Sequence, residues 1–236
     1  MLALLAVGAA AGCSRPAAGQ RTSTDAGAGG LDAGADTAGA DAGPPCLPTA
    51  DAGVATAPDA GLVLVADTRA GFSATQGTCS WSYGYEEPAG DAGARAFHLM
   101  TDWDPGYPAW WTMRGTYWTL VAPDVQHANG TVTTQGRSPV EQWSVRRWTS
   151  TVSGPITITG SVRKVVGSEA GNGVDARIVV DGVEKYAHFV DAADTVGVSF
   201  AVSASVAAGS SVDFVLDPHQ SNDLSDTTFF AAQIWR

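Results

Sequence analysis

The sequence predicts an all-β fold: a jelly-roll-type antiparallel β-sandwich preceded by a signal peptide and a disordered linker. Short runs of the chain alternate apolar and polar residues with a period of two, as half-buried strands do. An Asp-Gly pair lies between two strand-like runs, and no segment carries a sustained helical stripe. Many short strands separated by turn residues are typical of a sandwich or jelly roll.

The strand-like runs lie in the second half of the chain. Residues 156–162, 196–202 and 212–216 alternate in hydropathy, which predicts strands with one buried face. Asp181-Gly182 separates two apolar runs and predicts a tight hairpin. Residues 229–235 form the last predicted strand, and we expect a domain that ends on a strand to be complete.

The folded domain is predicted to span residues 62–236. All eight Trp, all five Tyr and all seven Phe of the chain lie beyond Leu62. Aromatic side chains supply most of the burial energy of a core. The tryptophans outside the central aromatic cluster are expected to pack in the core or against strands, namely Trp81, Trp143, Trp148 and Trp235.

The first thirteen residues predict a lipoprotein signal. Residues 1–12 are apolar and small, and the stretch is too short to cross a bilayer, which takes about 20 residues. The stretch from Ala10 to Cys13 resembles the lipobox of bacterial lipoproteins, although Ala10 replaces the usual Leu and no Lys or Arg comes before it. The resemblance implies a lipidated Cys13 in the cell envelope, and Ser14 is compatible with the outer membrane. The alternative is an ordinary secretory signal with an incidental cysteine.

Residues 13–61 are predicted to be the lipidated cysteine and a disordered linker. The triplet Asp-Ala-Gly recurs at irregular spacing through this segment and once more at 91–93. Asp, Ala and Gly offer little apolar surface to offset the entropy of ordering. Such tracts resemble those that follow the lipidated cysteine in many myxobacterial lipoproteins. The linker is therefore expected to hold the domain away from the membrane, and calcium binding by its carboxylates is the alternative.

The charge of the chain excludes one class of partner. Its formal net charge is −11, and its Lys and Arg residues form no cluster beyond adjacent pairs. A phosphate backbone is bound by a basic patch, so we expect no nucleic-acid partner. An acidic protein is not attracted to anionic lipid, so the membrane contact is expected through the lipid anchor alone.

Two cysteines remain once Cys13 is assigned to the anchor. Cys46 and Cys79 form an even pair in an oxidising compartment, which predicts a disulfide between the linker and the start of the domain. The alternative is a pair of free or mixed thiols.

Several segments of the domain resemble jelly-roll modules of secreted bacterial proteins, which are similar to carbohydrate-binding modules. The resemblance covers residues 72–235 and is carried by residues 72–85, 146–150, 173–182, 212–218 and 222–229. Cys79 is not part of the pattern. The resemblance implies a sandwich fold and a glycan or cell-envelope polysaccharide as ligand.

An aromatic cluster is the main candidate binding site. Aromatic rings are platforms for the C–H faces of sugars, and the neighbouring Asp102, Asp104 and Arg114 offer hydrogen bonds to hydroxyls. Residues 101–108 are expected to form a loop, where function concentrates. Trp110 and Trp111 face opposite sides of a strand, so at most one is core if the sheet has one wet face. The alternative is that the rings fill the core. The candidate ligand-binding residues are Trp103, Tyr107, Trp110, Trp111, Arg114 and Trp118.

An acidic turn near the C-terminus is a candidate calcium site. Crowded oxygen ligands in a loop can hold Ca²⁺, and jelly-roll modules often carry a structural calcium ion. The alternative is turn chemistry, because Asp and Asn bond their own backbone. The candidate ligands are Asp217, Asn222, Asp223 and Asp226. We expect no other cofactor.

No sequence motif predicts catalysis. The four histidines lack metal-ligand spacing, and no Gly-x-Ser-x-Gly or phosphate-binding loop is present. We therefore expect a non-catalytic surface lipoprotein whose module binds glycan. The first alternative is a structural or protein-interaction lipoprotein, which would lack a coplanar tryptophan group on its surface. The second is a small carbohydrate-active enzyme, which would need two converging carboxylates with a His, Tyr or Arg.

Overall fold

The computed structural model describes residues 46–47, 58–59, 61–88, 95–219 and 222–236. Within them the chain is all-β, with a short 3-10 turn at Thr78–Ser80 and no α-helix, as predicted. The strands are β1 (Leu64–Asp67), β2 (Trp81–Pro88), β3 (Arg95–Leu99), β4 (Asp102–Asp104), β5 (Ala109–Trp111), β6 (Leu120–Val121), β7 (Val125–His127), β8 (Trp143–Thr149), β9 (Gly154–Lys164), β10 (Val174–Val180), β11 (Val183–Val190), β12 (Val198–Val206), β13 (Ser211–Asp217) and β14 (Thr228–Trp235).

The strands form two packed antiparallel sheets, which confirms the predicted sandwich. One sheet has the order β12-β9-β14-β7-β6-β5-β4, with β1 also paired to β14. The other has the order β11-β10-β13-β8-β2-β3. Within these sheets, the neighbouring strands β1-β14-β9-β12 form one row and β8-β13-β10-β11 form a second row, and the two rows have the strand order of the two sheets of a jelly roll. Strands β4–β7 extend the first row, and β2 and β3 extend the second.

The main core lies between the sheets and follows the alternation of the sequence. On β10, the alternate residues Val174, Ala176, Ile178 and Val180 are buried. Facing residues of β9, β12 and β14 join the same cluster. Trp81 and Trp148 are paired across β2 and β8 and are fully buried there. The period of two thus places one face of each strand in the core.

The predicted hairpin is present between β10 and β11. Asp181 and Gly182 both have positive φ, at 48° and 77°, as a two-residue turn that matches the strand twist requires. Glycine adopts this conformation without steric cost, and Asp is among the residues that tolerate it.

The predicted disulfide joins Cys46 to Cys79, 33 residues apart in sequence. It ties a residue of the predicted linker to the 3-10 turn before β2. Cys13, the signal segment and most of the Asp-Ala-Gly linker lie outside the described residues. Among the residues described, no helix has the length and apolarity to span a membrane. Strand β1 begins two residues after the predicted start of the domain at residue 62.

The segment 101–108 differs from the expected loop. Asp102–Asp104 form β4, which pairs with β5, and only the following turn is irregular. The two carboxylates are engaged by Arg114: Asp102 Oδ2 accepts from its backbone N–H at 2.9 Å, and Asp104 Oδ2 lies 2.8 Å from its guanidinium. These contacts hold the two charged residues of β4, which flank Trp103, within the sheet.

Candidate binding site

The six predicted ligand-binding residues divide between the core and an open groove. Trp110 belongs to the main core, is 7% exposed, and donates from Nε1 to the carbonyl of Ser73 at 2.9 Å. Trp103 is half-buried and packs beside it with ring centroids 5.4 Å apart. These two rings therefore stabilise the fold.

Trp111 is buried on the opposite face of β5. It is 6% exposed and forms a second, smaller core with Ala109, Leu120 and Ala122. Trp118 and Val125 pack against this cluster. Both faces of the sheet are therefore covered at β5. The sequence predicts that only one of Trp110 and Trp111 lies in the core if one face of the sheet meets solvent. Because neither face does so here, both tryptophans are buried.

A groove of about 560 Å³ lies over this second core, and we call it the aromatic groove. Four of the six predicted residues line it, and segments distant in sequence complete it. The turn after β4, the loop between β5 and β6, the loop between β7 and β8 and the segment before β14 all contribute. Its side chains include Tyr107, Trp111, Arg114, Trp118, His127, Thr134, Gln135, Arg137, Asp223 and Leu224.

The rings of the groove are inclined to one another and do not form a coplanar surface group. Tyr107 is 46% exposed, and its ring is tilted by 56° to that of Trp111 at 6.4 Å. The guanidinium of Arg137 lies 4.1 Å from the ring centroid of Trp118, and Arg114 lies 5.9 Å from Trp111. Such contacts fix cation and ring relative to each other. The described residues therefore lack the coplanar surface tryptophan group that was to distinguish a glycan module from the structural alternative. The groove offers an exposed tyrosine and held guanidinium groups instead.

Three residues that line the groove carry a buried polar atom without a partner. Trp111 Nε1, Trp118 Nε1 and Asp223 Oδ1 have no hydrogen-bond partner within the described chain. Unpartnered buried donors and acceptors are rare in native proteins. Because the surrounding side chains cover these three atoms, the polar groups open to a ligand are those of exposed lining residues such as Arg114 and Gln135.

Two groove residues hold a left-handed backbone. Gln135 has φ 52° and Ser225 has φ 64°, and both line the groove. Non-glycine residues in this region are strained, and such strain clusters at functional sites.

Asp223 fastens two loops of the groove together. Its backbone N–H donates to Val132 O at 3.2 Å, and its Oδ2 accepts from the N–H of Gly130 at 3.3 Å. Burial raises the pKa of Asp223 to about 6. Nearby, burial lowers the pKa of His127 to about 4, which keeps its imidazole neutral at pH 7.

Three of the four predicted calcium ligands have partners within the chain, and the fourth, Asp223, lines the groove. Asp217 pairs with Arg177 at 2.9 Å, and Asp226 pairs with Lys164 at 3.1 Å. Asn222 Oδ1 accepts from the backbone N–H of Leu224 at 2.9 Å. Across the described ranges, no group of three or more His, Cys, Asp or Glu side chains is placed to hold a metal ion.

A second opening of about 880 Å³ lies between the edges of the two sheets, and we call it the inter-sheet cleft. Strands β2 and β3 form one wall, and β5 with its following loop forms the other. Its side chains include Tyr85, Glu87, His98, Trp111, Tyr117 and Gln142.

Each opening is lined by a single carboxylate among the described residues, Asp223 in the groove and Glu87 in the cleft. Glycoside hydrolysis uses two carboxyl groups that flank one bond. Among the described residues, neither opening therefore shows the carboxyl pair that this chemistry uses.

Sequence reasoning missed half of the groove. Arg137, Gln135 and His127 carry no motif, and nothing in the sequence connects residues 128–142 with residues 107–118. Long-range contacts join these segments. The N–H of Trp118 donates to Asn129 Oδ1 at 2.8 Å, and Val132 forms a bridge with Asn222 of the acidic turn.

The comparisons with known proteins assign no family to the chain. No family model matches it, and no curated protein matches it.

Proposed function

We propose that the protein is a surface lipoprotein whose jelly-roll domain binds glycan, without catalysis, in the aromatic groove. The observation that carries the proposal is the groove itself, which combines the exposed ring of Tyr107 with the guanidinium groups of Arg114 and Arg137. The two guanidinium groups donate to sugar oxygens, and the exposed amide of Gln135 can both donate and accept. The exposed ring of Tyr107 contacts a C–H face of the sugar.

The remaining parts of the chain fit display on a cell envelope. The lipobox-like stretch that ends at Cys13 supplies a lipid anchor, since each buried methylene contributes about 0.8 kcal/mol to membrane binding. The Asp-Ala-Gly linker places the domain away from the bilayer, at the outer membrane. Because the chain carries a net negative charge, the domain is not attracted to anionic lipid headgroups. Its aromatic groove is then open to envelope polysaccharide.

A pull-down of the full chain on immobilised cell-envelope polysaccharides tests the proposal. We expect retention on at least one polysaccharide and loss of retention in Tyr107→Ala, because this substitution removes the exposed ring. Phe189→Ala is the matched control, since Phe189 is 44% exposed and lies outside both openings.

Two outcomes would contradict the proposal. Failure of the full chain to bind across a broad panel would favour a structural or protein-interaction lipoprotein. Equal retention of Tyr107→Ala and the full chain would place the glycan outside the groove.

A further inference from the structure

The inter-sheet cleft contains a carboxylate held in place by buried amide and hydroxyl groups. Gln142 Nε2 donates to Glu87 Oε1 at 2.6 Å, and Thr119 Oγ1 donates to Gln142 Oε1 at 2.7 Å. Gln142 and Thr119 are 1% and 0% exposed. A buried relay of this kind fixes the orientation of the group at its end. Glu87 is therefore presented to the cleft in one position.

This carboxylate has no cationic partner in the described chain. The more deeply buried Asp104, Asp213 and Asp226 each pair with an Arg or Lys. Within the part of the chain that the structure describes, Glu87 forms no such pair and no Lys or Arg lines the cleft. A half-buried carboxylate without a counter-charge attracts a cation from solution.

Aromatic rings surround the same space. Tyr85, Tyr117 and Trp111 line the cleft, and the ring of Tyr85 stacks on His98 with centroids 5.3 Å apart. The pKa of Tyr85 is raised mainly by burial, and further by the charge of Glu87 and by Tyr117. Tyr85, Glu87 and Tyr117 therefore lie within electrostatic reach of one another. The negative faces of aromatic rings attract organic cations.

The rim of the cleft is apolar. Leu99 is 51% exposed and Met113 is 62% exposed, and both line the opening. Met113 also has a left-handed backbone with φ 48°, a strained position for a side chain with a Cβ. Aliphatic and thioether groups suit N-methyl groups better than sugar hydroxyls.

We propose that the inter-sheet cleft is a second binding site, and that it takes a small organic cation of the alkylammonium class. Glu87 balances the charge, and Tyr85, Tyr117 and Trp111 contact the methyl groups. Among the described residues, the two openings share only Trp111, so substitutions at Glu87 and Tyr117 change the cleft and leave the lining of the aromatic groove in place.

Calorimetric titration of the full chain tests the proposal with choline and with 3,3-dimethylbutan-1-ol, which has the same shape without the charge. We expect choline to bind about tenfold more tightly than the neutral alcohol, or better. Equal affinities, or no binding of choline, would overturn the proposal. Binding of a neutral monosaccharide in the cleft, displaced by no cation, would overturn it as well.

Variants distinguish this site from the aromatic groove. Glu87→Gln keeps an oxygen that accepts from Gln142 and removes the charge, so we expect choline binding to weaken about tenfold or more. If Glu87→Gln unfolds at a lower temperature than the parent chain, Tyr117→Leu provides the second test, because it removes an aromatic ring of the cleft and keeps the carboxylate. Tyr107→Ala, in the groove, is the control and is expected to bind choline unchanged. Unchanged choline binding in both cleft variants would contradict the assignment.

Discussion

At the scale of single residues, the fold holds several charges in its interior. Lys164 and Asp226 are 0% exposed and form an ion pair at 3.1 Å. Burial raises the pKa of Asp226 and lowers that of Lys164, and their mutual attraction opposes both shifts. Arg146 is also fully buried, and its two terminal guanidinium nitrogens donate to the carbonyls of Ala122, Pro123 and Phe230, whereas its Nε has no partner in the described chain.

The Lys164–Asp226 pair predicts an asymmetric response to substitution. Asp226→Asn leaves a buried ammonium group without its counter-charge, and we expect a loss of about 3–5 kcal/mol in the free energy of unfolding. The double variant Lys164→Met, Asp226→Leu removes both charges and should lose less than Asp226→Asn alone. Urea denaturation of the single and double variants measures this. A double variant as unstable as the sum of its single variants would show that the pair is not coupled.

Asp223 predicts a pH dependence of stability. Its folded-state pKa of about 6 lies above the ordinary aspartate pKa of 3.8, so the folded chain binds this proton more tightly than the unfolded chain. The contribution of Asp223 to stability is therefore complete below pH 3.8 and is lost as the pH rises through about 6. Because the lowered pKa of His127 gives the opposite pH dependence over this range, the loss is measured as the difference between the parent chain and Asp223→Asn in urea denaturation at pH 4, 5, 6 and 7. Asp223→Asn should lose less over the same range, and an identical pH profile would contradict the assignment.

At the scale of elements, the strands were predictable where burial alternates along the chain. On β9, β10 and β12, side chains on one face are buried and the others are more exposed, and the sequence shows this directly. The short strands β4–β7 were not predictable. Two of the three residues of β4 are charged, and both faces of β5 are buried. A strand covered on both sides has no alternation to detect.

The hairpin between β10 and β11 predicts a backbone effect. Gly182 has φ 77° and open space where a Cβ would lie, so Gly182→Ala strains the backbone without a clash. We expect a loss of about 1–2 kcal/mol in the free energy of unfolding. Asp181→Asn is the control, since Asn tolerates positive φ. Thermal unfolding measures both, and a Gly182→Ala variant as stable as the parent would contradict the turn geometry.

The disulfide predicts a loss of stability on its removal. The crosslink between Cys46 and Cys79 spans 33 residues, so its loss enlarges the conformational freedom of the unfolded chain. The double variant Cys46→Ser, Cys79→Ser should lose about 2–4 kcal/mol in the free energy of unfolding. Urea denaturation with and without reductant measures this. The expected control result is that reductant destabilises the parent chain and leaves the double variant unchanged.

At the scale of the whole molecule, the fold brings together what the sequence keeps apart. The alternating runs predict a sandwich, and the pairings β1–β14 and β8–β13 give it jelly-roll order. The groove depends on contacts across long sequence distances, such as Gly130 with Asp223, 93 residues apart. Tyr107, Trp111, Arg114 and Trp118 were identified from their types and their nearness in sequence. Arg137 and His127 were not, because only the folded chain places them beside those rings.

Fluorescence titration of the full chain with cell-envelope polysaccharides tests the central claim most directly. Trp111 and Trp118 line the groove, so a bound glycan should cause a saturable change in tryptophan emission. The affinity obtained from this titration should fall about tenfold or more in Tyr107→Ala and in Arg137→Ala, and should be unchanged in Phe189→Ala. Contradiction would take one of two forms. Tryptophan emission would stay constant across the whole panel, or the change would be equally strong in all three variants.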